Sequence, residues 1–331
     1  MDPQIGGRLL GQGVYGCTFD PAPRCANGSV FSKIEGLPAV GKITSDDTAD
    51  ELAAGQAIMA LPLASAYFAL PTKVCRPAVP VDDPDTATCK VLQETQQVSM
   101  LVMPSAGQPL LKYGMNHSRL ITNFKRLFIH LLEGGVIYQG AGYVHNDIHM
   151  ANILVDELGV ARYIDFGLAF RLKDVQKWED ANLGTEFKPQ YIFQAPEVHA
   201  VRMIKNGIQI VDGVKRLHEQ NPEYRQMEHR FPKRRTCEAS LVSLISSFKG
   251  SAAEFVRTYG LQFDAWRIGL CMWFMWDDLL QSLTGAFRDT PLYGERELIL
   301  KVMGGLTDFD PRVRLTMAGA LKLLDPNNRL G

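Results

Sequence analysis

The chain has 331 residues, of which 46% are hydrophobic, so it is long enough for two folded lobes and apolar enough to bury a core in each. This composition excludes a chain that is wholly disordered, collagen-like or coiled coil. The formal net charge is −1, from 35 Lys and Arg against 36 Asp and Glu, so bulk charge gives no reason to expect nucleic acid or an anionic membrane as a partner.

The cysteines show neither the spacing of a structural zinc site nor the density of a disulfide framework. We interpret all six as reduced thiols of an intracellular protein. They are Cys17, Cys25, Cys75, Cys89, Cys237 and Cys271. The N-terminus lacks a basic region followed by an apolar stretch, and the longest apolar run is far shorter than the roughly 20 residues of a membrane span. We therefore expect neither a signal peptide nor a membrane span.

The first candidate functional element is the glycine-rich segment LLGQGVYGCTF, in which Gly11, Gly13 and Gly16 form a GxGxxG motif. Glycines let backbone amides approach phosphate oxygens closely. Dinucleotide-binding folds use the same motif, but there a helix opens at the third glycine, whereas here CTF and a Pro-rich turn follow. This favours a strand-turn-strand flap over phosphates, while an ordinary glycine-rich hairpin and a dinucleotide turn stay open.

A lysine inside an apolar, strand-like run comes next. Lys42 lies in PAVGKIT, 31 residues after Gly11. A lysine there must either reach solvent at a strand edge or hold its charge against an anion. The following helical stretch, 46–59, supplies Glu51 as a carboxylate partner, with Asp50 as a close rival.

Beyond about residue 102 the pattern changes from short β segments to helices. The Pro- and Asp-rich residues 76–90 predict a surface loop between strands. From Arg119 onward, apolar residues recur at three- and four-residue steps, which predicts a helix packed on one face. The long, polar stretch 199–262 is flanked by helical patterns, and we interpret it as an inserted helical subdomain.

The segment YVHNDIHMANILVDELGVARYIDFG carries the strongest chemical pattern. It places Asp147 five residues before Asn152, and a predicted hairpin then returns a second carboxylate, Asp165, to the same end. Amide and carboxylate oxygens are suited to Mg²⁺, which leaves the remaining aspartate to orient or deprotonate a hydroxyl group. A chance hairpin with acidic turns would rarely reproduce all these spacings together.

These motifs resemble those of the eukaryotic-like protein kinase superfamily, and further motifs follow in the expected order. Ala195, Pro196 and Glu197 match the APE motif. FDAWRIG matches the DxWxxG helix, with Asp264 and Trp266, and DFDPRVRLT matches the late segment whose arginine, here Arg314, pairs with the APE glutamate in the family. The resemblance extends from the glycine-rich segment almost to the C-terminus.

The resemblance implies a role for each matched position. The catalytic group would be Asp147, Lys42, Glu51 and His149, with Asp147 as catalytic base, Lys42 on the ATP phosphates and Glu51 as its partner. Nucleotide binding would use Gly11, Gly13, Gly16 and Lys42 together with the hinge 102–107, in which Val102, Met103 and Ser105 are the candidates and either Val102 or Met103 is the gatekeeper. Asn152 and Asp165 would be the Mg²⁺ ligands.

The resemblance also implies the architecture. We expect an α+β, bilobal, protein-kinase-like fold with a small β-rich N-lobe at 1–101, the hinge at 102–107 and a larger, mostly α-helical C-lobe at 108–331. The insert at about 199–262 is a candidate docking surface for a partner. The short interval from Lys42 to Glu51, the HND catalytic loop and the insert are similar to serine/threonine kinases encoded by large nucleocytoplasmic DNA viruses, which implies a location in the host cytoplasm or in a virion.

The function predicted on this basis is ATP- and Mg²⁺-dependent phosphorylation of Ser or Thr, with Tyr less favoured, in a protein substrate. We expect no sequence-specific nucleic acid partner. Two alternatives remain. His149 stands where serine/threonine kinases usually carry lysine and where many small-molecule kinases carry histidine. The other alternative is a catalytically idle kinase fold with a binding or structural role, in a virion for example.

Overall fold

The computed structural model describes residues 7–13, 16–45, 48–78, 84–95, 97–176, 187, 189–232 and 234–331. The chain divides into two compact units. The first comprises Met1–Gln108 with Leu154–Leu168, and the second comprises Pro109–Ile153 with Ala169–Gly331. The fold is thus α+β, with a β-sheet region at the N-terminus and a mainly helical C-terminal part.

The first unit is built on an antiparallel sheet in the order β1-β2-β4-β6-β5, with β3 paired to β4. These strands are β1 (Arg8–Gln12), β2 (Gly16–Asp20), β3 (Lys33–Ile34), β4 (Leu37–Thr44), β5 (Lys73–Cys75) and β6 (Ser99–Pro104). The helices are α1 (Ala49–Met59), α2 (Ala64–Tyr67), α3 (Pro84–Ala87) and α4 (Lys90–Glu94). The remaining strands of the described residues are short and lie outside this sheet, and β8 and β11 belong to the second unit. They are β7 (Gln108–Pro109), β8 (Tyr143–Val144), β9 (Ile153–Val155), β10 (Ala161–Tyr163) and β11 (Phe170–Arg171).

Alternation along β4 gives the sheet two different faces. Ala39 and Ile43 belong to a buried cluster that includes Met100 and Val102 of β6. Residues of the opposite parity form a second cluster, in which Val40 packs with Leu101 and Met103. Lys42 follows Val40 by two positions and is paired with Leu101, so its side chain belongs to this second face.

Two disulfides cross-link the first unit, so the prediction of six reduced thiols is wrong. Cys17 bonds Cys89 and Cys25 bonds Cys75, each pair with its Cα atoms 5.9 Å apart. Cys237 is a free, buried thiol, and so is Cys271. The partners are 72 and 50 residues apart in sequence, so no short spacing motif marks them. The bridges exist because the sheet order brings distant segments together.

The predicted loop at 76–90 differs in part from the structure. Its described residues include α3 and the fully buried Cys89, and its last residue, Lys90, is the first residue of α4. The disulfide to Cys17 anchors this segment to β2, which accounts for the burial. The predicted helix at 46–59 corresponds to α1, but α2, α3 and α4 are not anticipated by the sequence pattern.

The second unit is dominated by helices. They are α5 (Leu110–Gly114), α6 (His117–Gly140), α7 (Pro196–Lys205), α8 (Ile210–Gln220), α9 (Pro222–Arg230), α10 (Cys237–Ser247), α11 (Ala252–Arg288), α12 (Pro291–Gly294), α13 (Arg296–Leu306) and α14 (Met317–Leu324), with a 3₁₀ turn at Leu172–Asp174. The helix predicted from Arg119 is α6, whose first turn is capped by the Asn116 side chain. Its apolar stripe is buried, as the periodicity predicts.

The longest helix, α11, begins with a capping box between Ser251 and Glu254 and is interrupted at Thr284, whose φ is +42°. The predicted insert at 199–262 contains most of α7, all of α8, α9 and α10, and the start of α11. None of the helices in the described part of the chain combines the length with the hydropathy of a membrane-spanning segment.

Candidate functional site

The glycine-rich segment forms the antiparallel pair β1 and β2, in which the Gly13 amide donates to the Gly16 carbonyl at 2.8 Å. A strand, and not a helix, starts at Gly16, so the dinucleotide-turn alternative is excluded. A Cβ at Gly16 would lie 2.3 Å from the Ile43 carbonyl oxygen, so this glycine is required for packing against β4. No atom of the described residues lies within 4 Å of a Cβ built at Gly11 or Gly13, so packing in this part of the structure does not require glycine there.

Lys42, Glu51 and Asp165 form an ionic cluster in the first unit. The Lys42 ammonium donates to both Glu51 carboxylate oxygens at 3.0 and 3.1 Å and to Asp165 Oδ1 at 3.2 Å. The rival partner, Asp50, is exposed. Burial disfavours the charged form of Lys42, but the carboxylates of Asp165 and Glu51 outweigh it and raise the lysine pKa. The lysine is therefore a permanent cation, which is the chemistry needed to hold a phosphate.

The register of β6 places Val102 and Met103, the two gatekeeper candidates, on opposite faces of the sheet. Val102 lies in the buried cluster on the face away from Lys42. Met103 is 8% exposed and shares the Lys42 face with Leu101. The Ser105 amide is engaged by the Pro38 carbonyl at 2.7 Å. Gly107 has a φ of +101°, and a Cβ there would lie 2.2 Å from the Val155 carbonyl oxygen, so only glycine fits the end of the predicted hinge.

The segment that the sequence predicts as a catalytic loop lies in the second unit, where Asp264 of α11 binds its backbone. This buried carboxylate accepts hydrogen bonds from the backbone amides of His145 at 2.7 Å and Asn146 at 2.9 Å. It also accepts one from the Tyr138 hydroxyl at 3.0 Å. Asn146 has a φ of +61°, a left-handed conformation that these two hydrogen bonds stabilise. Asp264 thus fixes the backbone on which Asp147 stands.

The Asp147 carboxylate is surrounded by donors. Asn152 Nδ2 donates to the Asp147 carbonyl at 2.9 Å and to Oδ2 at 3.2 Å. His149 Nε2 lies 3.7 Å from the same Oδ2. Burial alone raises the pKa of Asp147, but His149 and the guanidinium of Arg267 outweigh it and hold that pKa well below its ordinary value. Asp147 is therefore ionised at neutral pH and suited to orient a hydroxyl proton.

Two residues near Asp147 are absent from the sequence-based prediction. The Arg267 guanidinium is 1% exposed, and its Nη1 lies 3.4 Å from Asp147 Oδ1. The Tyr191 hydroxyl donates to the same Oδ1 at 3.3 Å. An arginine inside the apolar run of a buried helix must pair with an anion, and this signal is present in DAWRIG. Nothing in the local sequence marks Tyr191.

The two predicted Mg²⁺ ligands lie in different units and have suitable donor atoms. Among the described residues, the hydrogen bonds to the Asp165 carboxylate use Oδ1, and this side chain is 40% exposed, so Oδ2 is a candidate cation ligand. Asp165 has a φ of +59°, a conformation that non-glycine residues rarely adopt. Asn152 uses Nδ2 for both of its hydrogen bonds to Asp147, which leaves the amide oxygen as a ligand. The described residues hold no cluster of three or more His, Cys, Asp or Glu side chains arranged as a metal site.

The comparisons with known proteins give one partial similarity. The chain matches no protein-family model. A protein of Mus musculus described as sperm motility kinase Z is 32% identical to this chain over 102 residues, which are 30% of this chain and 20% of the mouse protein. The match thus spans about a fifth of that relative's length. It indicates a kinase relationship for this part of the chain.

Proposed function

We propose that this chain is an ATP- and Mg²⁺-dependent protein kinase that phosphorylates Ser or Thr residues of a protein substrate. The observation that carries the proposal is the cluster in which the Lys42 ammonium lies 3.0 Å from Glu51 and 3.2 Å from Asp165. These residues come from three separate motifs, and Lys42 and Asp165 are 123 positions apart. The sequence similarity to a mouse kinase supports the same assignment.

In this proposal each residue has a distinct task. Lys42 binds phosphate oxygens, and Glu51 holds the ammonium in place. Asp147 accepts a hydrogen bond from the substrate hydroxyl and orients its oxygen for attack. Asp165 and Asn152 hold Mg²⁺, which, when bound, neutralises charge on the phosphates. The backbone of Gly11 and Gly13 covers the phosphates, and Met103 lines the adenine side.

The low pKa of Asp147 limits its strength as a proton acceptor. A carboxylate that stays ionised is a weak proton acceptor, so its contribution is mainly positioning until the phosphoryl group is transferred and the hydroxyl proton becomes acidic. His149, whose Nε2 lies 3.7 Å from Asp147 Oδ2, is a second polar side chain beside the proposed position of the substrate hydroxyl. Serine and threonine hydroxyls are the substrates we favour, and the viral origin and virion location stay predictions.

Incubation of the protein with radiolabelled ATP, Mg²⁺ and a panel of basic and acidic proteins, followed by phosphoamino-acid analysis, tests the proposal. We expect labelled phosphoserine or phosphothreonine, and a loss of several orders of magnitude in Asp147→Asn and Lys42→Met. The matched control is Asp50→Asn, which changes an exposed carboxylate next to Glu51 and should retain activity. Label on a small-molecule acceptor alone would favour the His149 alternative. Absence of transfer by folded protein that binds Mg-ATP would favour the idle-kinase alternative.

A further inference from the structure

The second unit contains a cavity of ≈ 320 Å³ between α5, α9 and α11, with one wall from the catalytic-loop segment. Its apolar lining comes from Leu111, Met115, Met150, Phe274 and Met275. Met115 is 75% exposed and Leu111 is 56% exposed, so apolar surface stands open at the rim of the cavity. Exposed apolar surface of this kind next to a cavity is typical of a binding site.

Three carboxylates line the same cavity, those of Glu223, Asp277 and Asp278, and they differ in whether a basic side chain lies beside them. Arg230 makes a two-point ion pair with Asp277, and His117 Nε2 lies 2.8 Å from Asp278. Glu223 of α9 makes no ion pair with any residue that the structure describes. The lining therefore has more acidic than basic side chains, and the half-buried Glu223 is the acidic one outside an ion pair. Burial raises the pKa of Glu223, Arg230 opposes this, and Asp277 adds to it, so a cationic group bound in the cavity would stabilise the ionised carboxylate.

Apolar walls combined with uncompensated negative charge define the chemistry of the occupant. A long aliphatic stem suits the methionine and phenylalanine walls, and a cationic head suits Glu223. The volume is at the lower end of the range of about 300–1,000 Å³ found for ligand pockets, so it suits an amino-acid side chain better than a nucleotide-sized cofactor. Lysine and arginine side chains have this combination of stem and charge.

Packing connects the cavity to Asp147. Phe274 in the cavity wall packs against Phe193 with the ring centroids 5.4 Å apart and the rings tilted, and the Phe193 ring lies 5.9 Å from the His149 ring, centroid to centroid. His149 is the neighbour of Asp147 Oδ2. Met150, which follows His149 directly, is itself part of the lining. A polypeptide whose hydroxyl is at Asp147 therefore has the cavity within reach of a flanking side chain.

We propose that this cavity binds a lysine or arginine side chain of the protein substrate, and that Glu223 is the residue that selects its positive charge. The proposal rests on the proposed kinase function for the identity of the polypeptide. It adds that the substrates are basic near the phosphorylated residue, and that α9, which lies in the insert at 199–262, supplies part of the recognition.

The test uses neutral peptides that carry one serine and a single arginine, each peptide with the arginine at a different flanking position, and an arginine-free peptide for comparison. We expect the full-length protein to phosphorylate one arginine peptide with a kcat/KM about tenfold or more above that of the arginine-free peptide. Glu223→Gln should remove most of this preference, and Glu223→Lys should transfer it to a peptide with glutamate at that position. Glu219→Gln, on an exposed carboxylate of α8 outside the cavity, should keep the wild-type preference.

Fluorescence polarisation of the same peptides, with alanine in place of serine, measures binding without catalysis. Phosphorylation of all peptides with equal kcat/KM would overturn the cavity assignment and leave the kinase function standing. The same follows if the arginine preference is unchanged in both Glu223 variants. Arginine-dependent and Glu223-dependent peptide binding without any phosphoryl transfer would instead contradict the kinase function and support the cavity.

Discussion

Arg267 supports Asp147 from inside the second unit, at a position where local sequence gives no expectation of a catalytic role. Its guanidinium is almost fully buried, and its Nη1 lies 3.4 Å from Asp147 Oδ1. A buried guanidinium is costly unless an anion compensates it, so the pair restricts where the Asp147 carboxylate can point. Arg267 is in this sense a positioning residue for the proposed base.

We expect Arg267→Met to lower kcat about tenfold to hundredfold while the KM for ATP stays near that of wild type, because Arg267 contacts Asp147 and not the nucleotide-binding residues. Arg267→Lys should restore part of the turnover, since it returns the charge. Steady-state kinetics with varied ATP and peptide measures both constants. Arg257→Met, on the exposed side of the same helix, is the control. Equal losses in the two methionine variants would contradict the positioning role.

His199 makes stability depend on pH. It is fully buried between the rings of Phe187 and Tyr224, and burial lowers its pKa from 6.5 to about 3. Well above pH 6.5, His199 is neutral in both the folded and the unfolded protein, so it does not make the free energy of unfolding depend on pH. Between pH 6.5 and 3 the unfolded chain binds a proton that the folded protein does not, so stability falls as the pH falls.

We expect this histidine alone to lower the free energy of unfolding by about 2 kcal/mol between pH 7 and pH 5. Urea unfolding at the two pH values measures the loss. Between the two pH values, His199→Leu should lose about 2 kcal/mol less unfolding free energy than wild type. His229→Leu, which changes an exposed histidine, should behave as wild type. A His199→Leu variant with the full wild-type pH dependence would show that other groups are responsible.

Motifs with fixed spacing predict candidate residues that the structure places in contact, such as Lys42 with Glu51 and Asp147 with Asn152, but they do not predict neighbours that arrive through tertiary packing. Glu51 was one of two neighbouring candidates, and only the orientation of α1 distinguishes it from Asp50. Arg267 lies 120 positions from Asp147, and Tyr191 lies 44 positions away, so the sequence does not name Asp147 as their partner. The run DAWRIG signals only that Arg267 needs an anion, and nothing local marks Tyr191. The sequence alone also does not tell which of Val102 and Met103 shares a face with Lys42. Adjacent residues of a strand point to opposite sides, so the strand register is needed to decide.

At the scale of elements, the disulfides tie the short segments of the first unit to its sheet. Cys17 of β2 is joined to Cys89 at the start of α4, and Cys25 is joined to Cys75 of β5. Strand alternation and the apolar stripe of α6 were predictable, since each depends on residues close in sequence. The bridges and the short helix α3 were not, since they depend on which distant segments the sheet brings together.

We expect thiol alkylation of the unreduced, denatured protein to modify two cysteines per chain, Cys237 and Cys271, and to modify six after reduction. Reduction should also destabilise the first unit by about 2–4 kcal/mol for each bridge, because the unfolded chain regains the entropy of the opened loops. Thermal unfolding with and without reductant measures this. A variant with all four bridging cysteines changed to alanine should not respond to reductant. Six reactive thiols before reduction would contradict both bridges.

At the scale of the whole molecule, each unit contains ionic interactions between segments that are distant in sequence. In the second unit, Arg314 donates to Glu197 through both terminal nitrogens, one of them at 2.8 Å from Oε2, and both side chains are fully buried. The pair links the start of α7 to the segment before α14, which are far apart in sequence. Loss of one partner leaves a buried charge without compensation.

We expect Glu197→Ala and Arg314→Ala each to lower the free energy of unfolding by about 3–5 kcal/mol. The double variant should lose less than the sum of the two, because the second change removes the charge that the first leaves unpaired. Urea denaturation of the four proteins completes the double-mutant cycle. Strictly additive losses would mean that the pair does not interact.

The helix α11 also sets the distance between Arg267, which contacts Asp147, and Phe274, which lines the cavity. Both belong to this one helix, seven residues apart. A rise of about 1.5 Å per residue separates them by about 10 Å along its axis. An extended polypeptide covers that length in about three residues. In the proposed complex, a hydroxyl at Asp147 and a basic side chain in the cavity would therefore be about three residues apart, so recognition would depend on the distance between the two side chains as well as on their chemistry.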